Sequence, residues 1–320
     1  MKKKNVDDVS IVLNCYKVKF KPRGKPDSKS LSIKDVFGTD NLNTIYQEFV
    51  KTIDKKSVFT NNNESRVLYL KETLHASKSK NLVAGVVMKG HNGPETDIDE
   101  LVKGEVKKIT KVSSEQYHCH PYFFLLYSRK DDARELLFIA QSYRQFGFKE
   151  VFEDAFKQFV NQYTNTNLTV QFNTLSIASL FEKYITDGKV YKLRFIKHAL
   201  SKQAERVLMG DVPDKKAKYE MELSIKAPKG FFGIKQAIKY DDASFIEQVQ
   251  IDGFEYEEAY ADVIIGGRKR ALNISRPKEF TAAYDITQQV SINGNTKLPD
   301  FDEVLKEARD VLDNDLIPNL

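Results

Sequence analysis

The sequence predicts a protein of the α+β class with two mixed domains, each an antiparallel-rich sheet with packed helices. Apolar residues alternate over short segments in both halves of the chain, which is the period of half-buried strands. Other apolar residues recur every three or four positions, the spacing of amphipathic helices. The chain of 320 residues is long enough for about two domains at roughly 100–200 residues each.

The first elements of the chain follow directly from these patterns. A strand is predicted from Ser10 to Phe20, because apolar residues and lysines alternate towards its end. A helix is predicted to begin after the capping pattern at Ser32, and apolar residues at helical spacing predict another from Leu42 to Ile53. Strands are then predicted at Arg66–Lys71 and Asn81–Lys89.

The middle of the chain contains the most apolar stretch, Pro121–Tyr127, and a second apolar run, Glu135–Gln141. Two such runs joined by a polar turn predict a buried hairpin. The polar residues 95–116 before it are expected to form a surface excursion or a pair of edge strands. An amphipathic helix with apolar residues from Val151 to Val160 follows the hairpin.

The asparagine-rich link Asn161–Asn167 marks the predicted domain boundary, which gives an N-terminal domain of residues 1–160 and a C-terminal domain of residues 161–320. The elements predicted for the C-terminal domain are strands at Leu168–Phe172, Lys218–Ala227 and Ala259–Ile265, a short helix at Ile177–Tyr184 and a terminal amphipathic helix at Pro299–Leu312.

A local excess of positive charge is the strongest functional signal. Residues 189–239 contain thirteen Lys or Arg and five Asp or Glu, a net charge of +8, whereas the whole chain is +5, so the other residues sum to −3. Such an excess is what a phosphate-binding face requires. A second basic run, residues 268–270, follows two glycines, which would let the backbone approach a phosphate closely.

These two basic regions form one footprint if they meet in space, and the side chains of residues 268–270 are expected to fan outward. The predicted nucleic-acid-binding residues are Lys189, Lys192, Arg194, Lys197, Lys202, Arg206, Lys215, Lys216, Arg268, Lys269 and Arg270.

Two other classes of function compete with this prediction. Glu220, Glu222 and Lys226 would share one face of a strand, as a metal-dependent nuclease would need, although an ion-paired strand face is the simpler interpretation. The basic segment would equally suit a protein-interaction module that docks an acidic partner.

Nucleophile motifs and glycine-rich nucleotide loops are missing from the sequence, so we favour a non-catalytic protein over the nuclease and predict no cofactor and no small-molecule substrate. His118 and His120 would share one face of a strand, but a metal would need two further ligands, so no metal site is predicted. Cys15 and Cys119 show no disulfide or zinc spacing, and no stretch has the ~20 apolar residues of a membrane span. A cytoplasmic location is therefore expected.

The order of the elements also resembles a known family. The segments that carry the resemblance are Tyr16–Lys19, Lys29–Lys34, Arg66–Lys71, the hairpin Pro121–Gln141 with its following helix, the strand Tyr219–Lys226, and Tyr260–Arg270. In this order they resemble the RexA-type phage-exclusion proteins, which are the sensor half of a two-component exclusion system. No functional residue is carried over from that family.

The resemblance implies a dimeric, cytoplasmic DNA-binding protein without catalytic activity that signals to a separate membrane-protein effector. A soluble DNA-binding subunit of another two-gene defence system, such as the Kiwa type, would show similar features. The hypothesis from the sequence is therefore a sensor in an antiphage defence system that binds double-stranded DNA with little sequence preference.

Overall fold

The computed structural model describes residues 10–25, 27–77, 81–102, 104–129, 134–144, 146–165, 168–198, 220–233, 249, 251–265 and 268–320. The chain divides into two compact units. Unit 1 comprises Met1–Thr174 and Ile286–Arg309, and unit 2 comprises Leu175–Asp285 and Asp310–Leu320. Strands and helices are mixed and the sheets are antiparallel, which is the predicted α+β class.

The strands are β1 (Ile11–Pro22), β2 (Phe59–Thr60), β3 (Arg66–Ser77), β4 (Leu82–His91), β5 (Thr96–Val102), β6 (Glu105–Val112), β7 (His118–Ser128), β8 (Glu135–Tyr143), β9 (Leu168–Thr174), β10 (Lys189–Lys197), β11 (Met221–Lys226), β12 (Glu258–Ile265), β13 (Arg268–Asn273) and β14 (Ala283–Asp285). The α-helices are α1 (Ile33–Phe37), α2 (Leu42–Lys51), α3 (Lys149–Thr164), α4 (Ala178–Asp187) and α5 (Phe301–Val311).

The sheet of unit 1 has the strand order β1-β8-β7-β4-β3-β2, and β9 also pairs with β1. The predicted apolar hairpin forms β7 and β8, whose pairing runs from Phe124 opposite Ala140 to Ser128 opposite Leu136. Both strands lie at the middle of the sheet and are covered on both faces, which explains why they read as continuous apolar runs rather than as alternating ones.

Helices α2 and α3 cover one face of this sheet with aromatic side chains. Phe152 of α3 stacks on Phe138 of β8 with 4.7 Å between the ring centroids, and Phe49 of α2 meets Phe156 edge-on at 5.2 Å. All four rings are 1% exposed or less. Aromatic pairs of this kind add to the burial of apolar surface, so this cluster is the core of unit 1.

The predicted capping pattern is present at the start of α1. The hydroxyl of Ser32 accepts from the backbone N–H of Asp35, and the Asp35 carboxylate accepts from the N–H of Ser32. The Ser32 hydroxyl also donates to this carboxylate at 2.6 Å, and the two hydrogen bonds from Ser32 hold the pKa of Asp35 below its ordinary value. Gly38 then ends the helix in the left-handed conformation, with φ of +71°.

The division into units differs from the expected boundary after residue 160. Strand β9 pairs with β1 from Leu168 opposite Pro22 to Thr174 opposite Tyr16, so this segment belongs to the first sheet. The chain also returns to unit 1 at Ile286–Arg309. Helix α3 also runs to Thr164, into the asparagine-rich link. Composition favours a break in this segment, but it carries no information about which sheet the next strand joins.

Unit 2 contains a four-stranded sheet with the order β11-β10-β12-β13. Alternation along β12 buries Ala259, Ala261 and Val263 completely, and helix α4 packs its own buried face, including Tyr184, in the same unit. Within unit 1, the polar segment before β7 forms the two-stranded ribbon β5-β6. None of the helices described is both long enough and apolar enough to cross a membrane.

Candidate nucleic-acid interface

The four-stranded sheet of unit 2 carries the first part of the predicted footprint. Alternation along β10 buries Leu193 and Phe195, which are 7% and 1% exposed, and turns Lys192 and Arg194 to the opposite face. The sequence around Val190–Lys197 therefore forms a strand with one apolar and one polar face. The polar face is where phosphate contacts were predicted.

Carboxylates from neighbouring strands neutralise the centre of this polar face. One terminal guanidinium nitrogen of Arg194 lies 3.2 Å from an Asp262 carboxylate oxygen, and the second terminal nitrogen lies 3.7 Å from a Glu222 carboxylate oxygen. The Lys192 ammonium is 3.5 Å from Glu222. Arg194 also lies over the Tyr260 ring, 5.0 Å from its centroid. Lys192 and Arg194 are therefore engaged within the protein, and phosphate would have to displace these carboxylates.

Basic and acidic side chains are also paired next to the centre of this polar face. His198 lies 3.7 Å from both Glu220 and Glu258, and Arg276 lies 3.2 Å from Glu258. The hydroxyl of Tyr260 donates a hydrogen bond to Glu258 at 2.7 Å. This hydrogen bond, with the nearby Arg276 and His198, holds the pKa of Glu258 below its ordinary value despite partial desolvation. This part of the face is an acid–base network rather than a positive patch.

Lys197 is also paired, with 3.3 Å between its ammonium and the carboxylate of Glu255, which is 96% exposed. An exposed pair of this kind contributes little to stability and competes only weakly with a ligand. The predicted cations that lie outside the described residues are Lys202, Arg206, Lys215 and Lys216.

One end of the sheet collects basic residues from three strands. β10 begins at Lys189, β11 ends at Lys226 and β13 begins at Arg268, and antiparallel pairing brings these three ends together. Lys189 and Lys269 pair with Ile264 from its two sides. The two basic regions of the sequence therefore meet at the backbone level, as a single footprint requires.

A tight turn adds an aromatic ring to this end. The N–H of Ala227 donates to Tyr191 O at 3.0 Å, and the N–H of Phe232 donates to Val190 O at 2.8 Å, which fixes the turn against β10. Gly230 makes the turn with φ of +88°, a conformation that favours glycine. The ring of Phe231 is 52% exposed, and the Lys189 ammonium lies 5.3 Å from its centroid.

We call this region the basic end. It consists of Lys189, Lys226, Lys229 and Phe231 with the backbone positions of Arg268 and Lys269. Within the described ranges, no carboxylate forms an ion pair with the three lysines. Among the described residues they therefore differ from Lys192 and Arg194, whose charges are paired.

Arg270 does not fan outward as predicted. It pairs with Val263, which is fully buried, so strand alternation turns Arg270 to the packed face of the sheet. Its guanidinium donates to the carbonyl oxygen of Thr281. The guanidinium carbon also lies between 4.5 and 5.1 Å from the centroids of three rings, those of Phe280, Tyr184 and Tyr284. Arg270 is therefore a structural residue of unit 2.

The carboxylates considered for nuclease chemistry do not converge. Glu222 is held by Lys192 and Arg194, and Glu220 by His198. No group of three His, Cys, Asp or Glu within the described ranges is arranged to hold a metal ion. The strand face follows the simpler interpretation, a set of ion pairs.

A second cluster of basic side chains was missed by the sequence analysis. It lines a cavity in unit 1 and comprises Lys89, His91, His120, Arg144 and Lys297. These residues are dispersed over the chain, so no run of charge marks them. His118-Cys119-His120 was the one local signal, and it was interpreted as the start of a strand, which it also is.

Comparisons with known proteins bring no assignment to this site. No protein-family model matches the chain, and no curated protein matches it significantly.

Proposed function

We propose that this protein is a non-catalytic nucleic-acid-binding protein that holds the phosphates of duplex DNA at the basic end of the unit 2 sheet. The supporting observation is that Lys189, Lys226 and Lys229 come together there without carboxylate partners in the described ranges. The centre of the same sheet face is neutralised by ion pairs, so it is left out of the proposed footprint.

Lysines at strand ends and turns suit the DNA backbone better than base edges. A lysine ammonium is a point charge on a flexible stem, and phosphate contacts made in this way fix position without reading sequence. Phe231 adds an exposed ring beside Lys189, which could stack on an unpaired base. We therefore expect low sequence preference, and a comparison of duplex with single-stranded DNA tests whether the ring contributes.

The cellular role in this proposal comes from the resemblance to RexA-type proteins. DNA binding would act as the sensing step of an antiphage exclusion system, and the protein would work as a homodimer that signals to a separate membrane protein. The identity of the neighbouring gene tests this part, because a small multi-span membrane protein there would supply the effector.

The test of the interface is DNA binding by a variant with Lys189, Lys226 and Lys229 all changed to Ala. We expect its affinity for a duplex oligonucleotide at low salt to fall about tenfold or more, because three phosphate contacts are lost. The slope of log K against log[salt] should become shallower by up to about 2.7, since each neutralised phosphate contributes about 0.9.

The matched control replaces Lys25, Lys34 and Lys306 by Ala, which removes the same charge from exposed positions elsewhere. If both variants lose affinity equally, net charge rather than the basic end carries binding. If the parent binds no DNA, the protein-docking alternative replaces this proposal. Cleavage of plasmid DNA with Mg²⁺ or Mn²⁺ that is lost in Glu222→Gln would replace it with the nuclease alternative.

A further inference from the structure

Unit 1 contains a cavity of about 540 Å³ that the proposed DNA interface does not use. This volume lies within the roughly 300–1,000 Å³ of typical small-molecule sites. Its basic lining residues are Lys89, His91, His120, Arg144 and Lys297, and none of the described lining residues is acidic. A concave site lined by several basic residues and by none of the described acidic residues is suited to an anion.

Two neighbouring strands place Lys89, His91 and His120 in this lining. In the register of β4 with β7, Lys89 pairs with His120 and His91 pairs with His118. The Lys89 ammonium donates a hydrogen bond to Gly147 O at 2.5 Å, which leaves two of its three donor positions for other acceptors. Partial burial, together with the charge of the nearby Arg66, lowers the pKa of Lys89.

Lys89 and His91 have more basic than acidic neighbours. Partial burial lowers the pKa of His91, and so do the neighbouring His118, Lys89 and His120. The carboxylate of Glu150 favours the charged form of Lys89, but it is itself paired with Arg66 at 3.1 Å. Basic groups are therefore crowded together, and a bound anion would favour their protonated forms.

Two tight turns place the other two basic residues, Arg144 and Lys297. Tyr143 and Phe146 exchange backbone hydrogen bonds of 2.8 Å in both directions, with Arg144 in the turn between them. Lys297 lies in a second turn, where its N–H donates to Asn293 O at 2.9 Å. Both residues adopt the left-handed conformation, with φ of +51° for Arg144 and +58° for Lys297.

This conformation is unusual for long side chains. The other non-glycine residues with positive φ in the described ranges are Glu64, Asn81 and Asn165, and asparagine tolerates this region best. Strained backbone concentrates at ligand sites, where the surrounding structure imposes it. The two basic residues in this conformation line the same cavity.

Aromatic rings form a further part of the lining, which also includes Ser10, Thr296 and Leu298. Tyr122 and Tyr143 lie 5.4 Å apart between ring centroids, and burial raises the pKa of Tyr143 to about 12, so its hydroxyl stays protonated. The ring of Phe146 is 63% exposed although it lies beside the cavity. An exposed phenylalanine of this kind offers a free face for stacking.

We propose that this cavity binds a nucleoside monophosphate group, with the basic residues on its phosphate and the aromatic rings against its base. Basic residues alone would suit any anion, and rings alone any apolar molecule. A nucleotide carries both chemistries, and a mononucleotide fits within the available volume. The group would belong either to a free nucleotide or to the phosphorylated 5′ end of a strand. This site is independent of the proposed DNA interface.

The test is calorimetric titration of the full-length protein with AMP, GMP, CMP and UMP. We expect at least one of them to bind, and adenosine, ribose 5-phosphate and tripolyphosphate to bind more weakly. Titration with a 5′-phosphorylated tetranucleotide distinguishes a free nucleotide from the phosphorylated 5′ end of a strand. Binding as tight as that of the monophosphate indicates a strand end, and much weaker binding indicates a free nucleotide.

Three variants locate the site. Arg144→Gly and Lys297→Gly remove a charge each, and glycine accepts the left-handed backbone, so both proteins should fold. Each should weaken nucleotide binding about tenfold, as expected for one charged hydrogen-bond partner. Phe146→Ala should weaken it at least about fivefold, the lower range of base stacking. The control Lys306→Ala, an exposed lysine of the same unit, should leave binding unchanged.

Two results would overturn the proposal. One is a parent protein that binds none of the four nucleotides at millimolar concentration. The other is binding of tripolyphosphate as tight as that of any nucleotide, together with no effect of Phe146→Ala, because the cavity would then recognise charge alone.

Discussion

Individual arginines and lysines of unit 2 have different roles that their residue type does not reveal. Arg194 bridges two carboxylates, Arg270 lies among aromatic rings, and Lys189 stays beside an exposed ring. Each role depends on which face of a strand the residue occupies and on the residues opposite. Within the described residues Lys189 has no carboxylate partner, so a phosphate would meet less competition there than at Arg194 or Arg270.

Replacing Arg270 tests its structural role. Arg270→Ala should lower the free energy of unfolding by about 2 kcal/mol, because contacts with three rings and a hydrogen bond to Thr281 O are lost. Chemical denaturation measures the change, with Lys229→Ala as an exposed control in the same unit. Unchanged stability combined with weaker DNA binding would return Arg270 to the interface.

Pairs of strands are held together by charges as well as by backbone hydrogen bonds. Glu135 at the start of β8 lies 3.1 Å from the Lys17 ammonium and 2.7 Å from that of Lys19, both on β1. Desolvation of Glu135 opposes its ionisation. The hydrogen bonds and charges of the two lysines outweigh this effect, so the pKa of Glu135 falls below its ordinary value of 4.5.

This shift predicts a pH-dependent contribution to stability. Because the pKa of Glu135 is lower in the folded state, its carboxylate stabilises the fold above pH 4.5, and that contribution is lost as the pH falls through the folded pKa. Glu135→Gln should therefore cost about 1 kcal/mol at neutral pH and nothing in strong acid.

The measurement is the free energy of unfolding from denaturant titrations at both pH values, with Glu115→Gln, an exposed carboxylate, as the control. An equal cost of Glu135→Gln at both pH values would mean that the side chain acts through packing rather than charge.

At the scale of the whole molecule, the strands differ in how deeply they are buried. Strands β7 and β8 are buried from Pro121 to Leu126 and from Leu136 to Ala140. The ribbon β5-β6 is exposed along most of both strands, with Val106 71% and Ile109 54% exposed. Its acidic strand faces a basic one, as in the pair of Asp97 with Lys108 at 2.6 Å, so it is held by exposed ion pairs.

Hydrogen exchange should reflect this difference. Amides of β7 and β8 should exchange slowest, near the rate set by global unfolding, and those of β5-β6 should exchange orders of magnitude faster by local opening. Mass spectrometry of deuterium uptake checks this in the purified protein. Slow exchange in β5-β6 would contradict this expectation and would mean that the ribbon is covered. Light scattering would then test whether a second copy covers it, because the predicted homodimer has twice the molar mass of the chain.

The sequence by itself determined the local elements. Alternation predicted β1, and the strands β11 and β12 were also predicted within a few residues. The apolar runs predicted the hairpin β7-β8, and the Ser32 pattern predicted the start of α1. These features depend on residues that are close along the chain, so a single sequence contains them. The excess of positive charge was visible for the same reason.

Only the tertiary structure decided which of those charges remain available. Arg194 is neutralised by Asp262, which is 68 residues away along the chain, and the cavity combines basic residues from Lys89 to Lys297. Period-two alternation separates the two faces of a strand, but it does not say which face is covered or which strand lies alongside. Strand register and packing determine that, and they join residues that the sequence keeps far apart.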